Sequence, residues 1–153
     1  MPFTHVSGLR RGPLLFLAAL GLLVTVLGFT QPVSAGDLKA YRGSGSMVFK
    51  TDGSSLSNAH GATVGKIEGD SYYSGGGSLR ARLDGQRLYN ASGSLMAKVD
   101  GSSIYNAQGS LIGKLDNESL SNAHGATIGK IEGAGGLSDP ATVFLSLMLL
   151  GIF

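Results

Sequence analysis

The chain has 153 residues, no cysteine, 12 basic and 10 acidic side chains and a formal charge of +2. This length allows a domain with a hydrophobic core of its own, above the size at which bridges or metals become necessary. The absence of Cys excludes a disulfide framework and a lipid-modified cysteine anchor.

Arg10 and Arg11 precede an apolar run from Leu14 to Phe29, and Val33-Ser34-Ala35 then supplies small residues in the spacing of a processing site. This pattern predicts a signal peptide over residues 1–35, cleaved after Ala35. An uncleaved anchor is the alternative, although the run is slightly short of the roughly 20 residues that span a bilayer. Cleavage removes two of the basic residues and none of the acids, leaving ten of each. The mature chain is formally neutral, so nucleic-acid binding loses the basic patch it normally shows.

Beyond the leader, blocks of sixteen begin at Gly45, Gly61, Gly77, Gly93, Gly109 and Gly125. Self-similarity of this kind points to a repeat architecture. Each block reads Gly, small, apolar, variable, small, Lys or Arg, apolar, acid, Gly, two polar residues, apolar, Tyr or Ser, Asn, Ala, variable. Asp84-Gly85 and Asp100-Gly101 sit between alternating segments, which predicts two-residue hairpins of type I′. Asp52-Gly53, Glu68-Gly69, Glu132-Gly133 and Asp116-Asn117 occupy the same slot. Asn-Ala-x-Gly, as at Asn90 to Gly93, suits a type I turn with Asn first and Gly fourth.

Strict alternation in the first strand of a block places Leu95, Ala97 and Val99 on one face and Met96, Lys98 and Asp100 on the other. The same pattern sets Leu111, Gly113 and Leu115 against Ile112, Lys114 and Asp116. In the second strand Leu56, Tyr72, Leu88, Ile104 and Leu120 hold the apolar place. Ala40 to Gly45 supplies the second strand of a block whose first strand is missing, and Ala126 to Ile131 supplies a first strand. The total is six pairs and twelve strands. A meander of that length leaves two exposed edges unless it closes. The expectation is an all-β, closed antiparallel barrel over residues 37–139, with the strand near Tyr41 meeting the strand near Ile131.

Gly65, Ala81, Ala97, Gly113 and Gly129 make the middle of the inner face small, so something else must fill that space. The tail, residues 140–153, supplies it. Asp139 is placed to cap a helix and Pro140 to begin one. The following residues to Phe153 are apolar on all sides, as in a helix buried in a core or a membrane. Thirteen residues of helix rise about 20 Å, too short for a bilayer core of ~30 Å, so the helix is placed in or against the barrel. A glycolipid-anchor signal is the rival, with a spacer from Gly136 to Pro140 shorter than the usual 8–12 residues. Asn90-Ala91-Ser92 and Asn117-Glu118-Ser119 match the glycosylation pattern.

These repeated Gly-x-x-x-Gly-Lys-apolar-acid-Gly units, the opening Tyr-x-Gly strand and the apolar tail resemble the bacterial β-flower repeat proteins over residues 37–153. The match is closest in residues 77–124. The resemblance implies a small domain of pseudo-rotationally repeated hairpins, in a family mostly without assigned activity. The architecture alone is similar to the tubby and scramblase barrels, which enclose a hydrophobic helix. Fold likeness does not carry phosphoinositide binding with it, and the neutral mature charge argues against a polybasic lipid site.

Lys50, Lys66, Arg82, Lys98, Lys114 and Lys130 recur at one place, each followed two residues later by an acid on the same strand face. A soluble outer belt is the plain reading, each surface pair contributing roughly 0–1 kcal/mol. Tyr73, Tyr89 and Tyr105 recur at another place, matched by Tyr41, Ser57 and Ser121. Cross-strand packing accounts for such tyrosines, and their amphipathic rings also suit recognition of a sugar or peptide. The candidate binding residues are therefore Tyr73, Tyr89, Tyr105, Lys66, Lys98 and Lys114. His60 and His124 read as turn residues, without acids in metal-ligand spacing. Gly75-Gly76-Gly77 is not followed by a helix, as a phosphate loop would require.

No nucleophile elbow or catalytic constellation stands out. No enzyme activity, metal or cofactor is expected. The expectation is an exported structural or interaction module of unknown partner, associated with the cell envelope. The alternative is a ligand-binding barrel for glycan, peptide or lipid headgroups. Membrane contact, if any, falls to the two apolar terminal segments.

Overall fold

The computed structural model describes residues 37–153, and the predicted signal segment lies outside them. Twelve strands follow in order: β1 Leu38–Arg42, β2 Met47–Thr51, β3 Ser55–Asn58, β4 Thr63–Glu68, β5 Ser71–Ser74, β6 Leu79–Asp84, β7 Arg87–Asn90, β8 Leu95–Asp100, β9 Ser103–Asn106, β10 Leu111–Asp116, β11 Ser119–Asn122 and β12 Thr127–Glu132. One helix, α1, spans Pro140–Leu149. Every strand is antiparallel to its neighbours and the sheet is a closed barrel. Closure is made where expected, by β1 and β12, with Ala40 opposite Ile131 and Tyr41 opposite Lys130. No strand edge is left unpaired along the wall, which removes the usual template for stray association.

The two turn types alternate as the repeat requires, but the tighter one is not type I′. Asp84 pairs with Arg87 and Asp100 with Ser103, so the central residues are Gly85-Gln86 and Gly101-Ser102. Gly85 and Gly101 have φ of 57° and 58°, while neither Gln86 nor Ser102 has a positive φ. A positive φ at the first central position alone belongs to type II′, which places Gly first. At the other end Asn90 accepts the Gly93 N–H at its backbone carbonyl, at 3.0 Å. Its side-chain Oδ1 accepts from the backbone of Ser92 and Ser94 at 3.0 and 2.8 Å. Asn58, Asn106 and Asn122 hold their turns by the same side-chain route.

A bulge interrupts each long strand and corrects the predicted alternation. Leu88 faces Ala97 and Tyr89 faces Leu95, leaving Met96 without a cross-strand partner. Ile112 is skipped in the same way between Leu111 and Gly113, as is Val64 between Thr63 and Gly65. One extra residue reverses the faces on one side of it. Met96 and Ile112, expected outside, therefore pack against the core with Val64 and Ile128. Leu111, expected inside, is 39% exposed.

Asp139 caps α1, accepting the backbone N–H and the hydroxyl of Thr142 at 2.8 and 2.7 Å. All residues from Ala141 to Leu147 are buried whatever their helical phase, so the helix lies inside the barrel. Ser146, also buried, donates its hydroxyl to the Thr142 carbonyl at 2.8 Å. The helix ends earlier than the apolar run. Gly151 has a φ of 75°, its N–H reaches the Met148 carbonyl, and that of Ile152 reaches the Leu147 carbonyl. Those paired bonds form a Schellman stop. Leu149 and Leu150 then fill the space above the small inner residues Gly129 and Gly113.

Candidate functional site

With the lumen filled, the repeated side chains of interest stand on the outer wall. A two-residue turn after the acid pairs the basic position of each hairpin with the Tyr or Ser position of its second strand. Lys66 faces Tyr73, Arg82 faces Tyr89 and Lys98 faces Tyr105. At the seam Lys130 faces Tyr41. Lys114 faces Ser121 and Lys50 faces Ser57. Of the six predicted site residues, the structure therefore joins Lys66 to Tyr73 and Lys98 to Tyr105. Tyr89 takes Arg82 as its partner, and Lys114 has no tyrosine opposite. The repeat register carries enough information to find Arg82 and the Tyr41–Lys130 pair, because a fixed turn fixes the cross-strand partner.

The other flank of each tyrosine depends on the bulge, and alternation alone misses it. Tyr73 faces Leu79, Tyr89 faces Leu95 and Tyr105 faces Leu111. Ser57 and Ser121 face Thr63 and Thr127 in the same register. Tyr73, Tyr89 and Tyr105 are each half-buried, their rings held at the surface between a base and an aliphatic chain. Tyr72, one residue from Tyr73, points the opposite way. It packs against Phe144 and Phe153 with ring centroids 5.8 and 5.3 Å away, and burial pushes its phenol pKa up.

Shallow grooves lie beside several of the base positions, including Lys50 with Ser57, where no tyrosine stands. One of about 370 Å³ is lined by Lys66, Glu68 and Tyr73. Another of about 450 Å³ is lined by Leu79, Arg82, Asp84 and Tyr89. A third of about 650 Å³ crosses the seam beside Tyr41, Glu118 and Lys130. Lys66 pairs with Glu68, Lys114 with Asp116 at 3.0 Å and Lys130 with Glu118 at 3.1 Å. The Glu118 carboxylate also accepts the Gly133 N–H at 2.8 Å. That backbone bond, then Lys130, hold its pKa below the ordinary carboxylate range, and Glu118 in turn raises the pKa of Lys130.

His60 and His124 are exposed, and their backbone N–H groups bond to Asn58 and Asn122. Among the described residues no group of three His, Cys, Asp or Glu side chains converges as a metal cage would.

A closed wall of near-identical hairpins, wrapped around a helix from the same chain, defines a repeat barrel. A family model described as 5-fold beta-flower protein matches residues 35–147, and the chain belongs to that family. This chain has five contiguous hairpin blocks and assembles a sixth pair from β12 and β1. Comparison with curated proteins and with solved structures gives no match.

Proposed function

We propose that this protein is an exported, non-catalytic interaction module of the cell envelope, and that its outer wall is the surface that meets a partner. One observation carries the reading. Val143, Phe144, Leu145 and Leu147 are fully buried, so the lumen in which other barrels hold small ligands contains the chain's own helix. Recognition then falls to the wall. The β-flower barrel suits a structural module, and export follows from the arginines, apolar run and small residues at the N-terminus. A second reading, binding of glycan, peptide or lipid headgroups, is favoured by the Tyr73–Lys66 and Tyr105–Lys98 pairing.

The test is expression of the full chain in a bacterial host, followed by cell fractionation and mass measurement of the product. A mature N-terminus at Gly36, with the protein in an envelope or exported fraction, is the expected result. Intact protein beginning at Met1 and confined to the cytosol would remove the proposal's foundation.

A further inference from the structure

The outer wall varies from hairpin to hairpin in a way that the fold does not require. Three successive hairpins carry a Tyr–Leu pair on the surface: Tyr73 with Leu79, Tyr89 with Leu95 and Tyr105 with Leu111. Two other hairpins place Ser57 with Thr63 and Ser121 with Thr127 at the same register, beside the same bulge. The backbone is therefore formed as well with a polar pair as with an aromatic one. A fourth pair, Tyr41 with Met47, stands by itself at the seam between the two Ser–Thr pairs, and packing of the wall does not explain why Tyr and Leu appear together at three successive hairpins.

We propose that the three Tyr–Leu stations bind sugar rings of a neutral glycan. The proposal rests on the reading of the wall as the working surface, and names the ligand. A sugar ring offers a C–H face to an aromatic platform and hydroxyls to polar groups at its rim. Each station supplies both. The half-buried Tyr is flanked by Lys66, Arg82 or Lys98, with Glu68, Asp84 or Asp100 two residues further along the same face. The base donates hydrogen bonds and the acid accepts them.

Charge and topology separate this ligand from its rivals. Each station sets its base beside an acid, and with Arg80, Arg87 and Asp70 included the stretch from Lys66 to Asp100 carries five bases and four acids, a nearly balanced field that does little to attract an anionic headgroup or polyanion. A peptide that binds by strand addition needs an open sheet edge, and the barrel has closed its edges. An uncharged, hydroxyl-rich ligand is what remains. Neighbouring stations lie two interstrand spacings apart, about 10 Å at the backbone, and turn away from one another around the barrel. They engage separate chains or a flexible one, and several weak contacts add as avidity.

The chain's own Ser–Thr hairpins provide the test, since Tyr89→Ser with Leu95→Thr copies a pair that the wall already accommodates. Retention of the purified protein would be measured on cellulose, chitin, mannan and dextran, with anionic phosphatidylglycerol vesicles as a control. The chain has five Tyr and no Trp, so tyrosine emission during titration with soluble mannan or dextran gives a second readout. Retention on at least one polysaccharide is expected. It should weaken roughly tenfold or more when one station is converted, and vanish when all three are converted together with Tyr41→Ser and Met47→Thr at the seam, as loss of avidity requires. Tyr89→Phe, which keeps the platform, should bind, and Ser121→Tyr with Thr127→Leu should strengthen retention. Unchanged melting of the station variants would show that folding is intact. Retention on no polysaccharide, retention indifferent to the conversions, or station-dependent binding to the vesicles instead would each overturn the proposal. None of those results bears on export, which is read separately from the mature N-terminus.

Discussion

Gly113 lies against Leu150, so closely that a β-carbon on the glycine would stand 2.9 Å from Leu150 Cδ1. The equivalent Gly129 meets the backbone carbonyl of Tyr41 across the seam, with Leu149 Cδ1 3.1 Å away. A leucine tip can turn aside, whereas a paired strand carbonyl cannot. A β-carbon at Gly113 would also stand 3.1 Å from the Ser121 carbonyl, a looser approach than the one Gly129 makes to the Tyr41 carbonyl, so Gly113→Ala should cost less than Gly129→Ala, for which about 1–3 kcal/mol is expected, in the range for overpacking a tight core. Urea midpoints of the two variants, compared at equal slope, give the difference directly.

Truncation after Asp139 removes the helix and leaves the inner wall facing an empty lumen. Val143, Phe144, Leu145 and Leu147 are fully buried, and each such side chain contributes about 1.5–3 kcal/mol of transfer free energy. Four of them match the whole net stability of a typical domain, about 5–15 kcal/mol. The shortened chain should lose its cooperative melting transition and bind a hydrophobic dye. A folded monomer with the parent melting temperature would contradict the plug.

The helix cap can be isolated from the helix itself. Asp139→Asn keeps an oxygen for the Thr142 N–H and should be nearly neutral. Asp139→Ala removes the acceptor for both the N–H and the Thr142 hydroxyl, and Thr142 is fully buried. Loss of a cap alone costs about 0.5–2 kcal/mol, and stranding a buried hydroxyl adds to it. Thermal melts of the two variants side by side should separate clearly, with only the alanine form destabilised.

Acid should weaken the barrel first at its carboxylate bonds. Glu118 is held below its ordinary pKa by the Gly133 N–H and Lys130, and Asp52 below its own by the Ser54 and Ser55 N–H groups. A depressed folded-state pKa means stability that is complete above the unfolded value. That stability is lost as pH falls through the carboxylate range, below about pH 4.3 for Glu and 3.9 for Asp. Denaturant midpoints should therefore fall from pH 7 to pH 3. Glu118→Gln should show a smaller fall than the parent, and an equal fall would argue against the Glu118 contacts as a source.

Much of this architecture was legible because its determinants are local and repeated. The acid-Gly and Asn-Ala-x-Gly punctuation gives the strand count, and the incomplete blocks at Tyr41 and Ile131 give the seam. The reversal at Met96 and Ile112 was not legible. A bulge leaves the residue count of a block unchanged, and an apolar residue at Leu95 or Leu111 fits either face by composition. The stop at Gly151 was available in principle, since a glycine followed by an apolar residue is a Schellman signature. Within the candidate site, the tyrosines and lysines were visible as recurring letters. Their leucine flank depends on the bulge, which shifts the cross-strand register by one residue.

The seam also implies an order of events during folding. Every wall contact except β1 with β12 joins strands that are consecutive in the chain, so most of the sheet can zip up locally and early. Ala40 must wait for Ile131, almost the entire described chain later, and that closure carries the largest loop entropy and the slowest contact. The helix, which follows β12 in the chain, docks into the closing wall. A folding chain therefore presents a curled, greasy, half-finished trough until the helix is in place, and that interval is when a chaperone would be needed most.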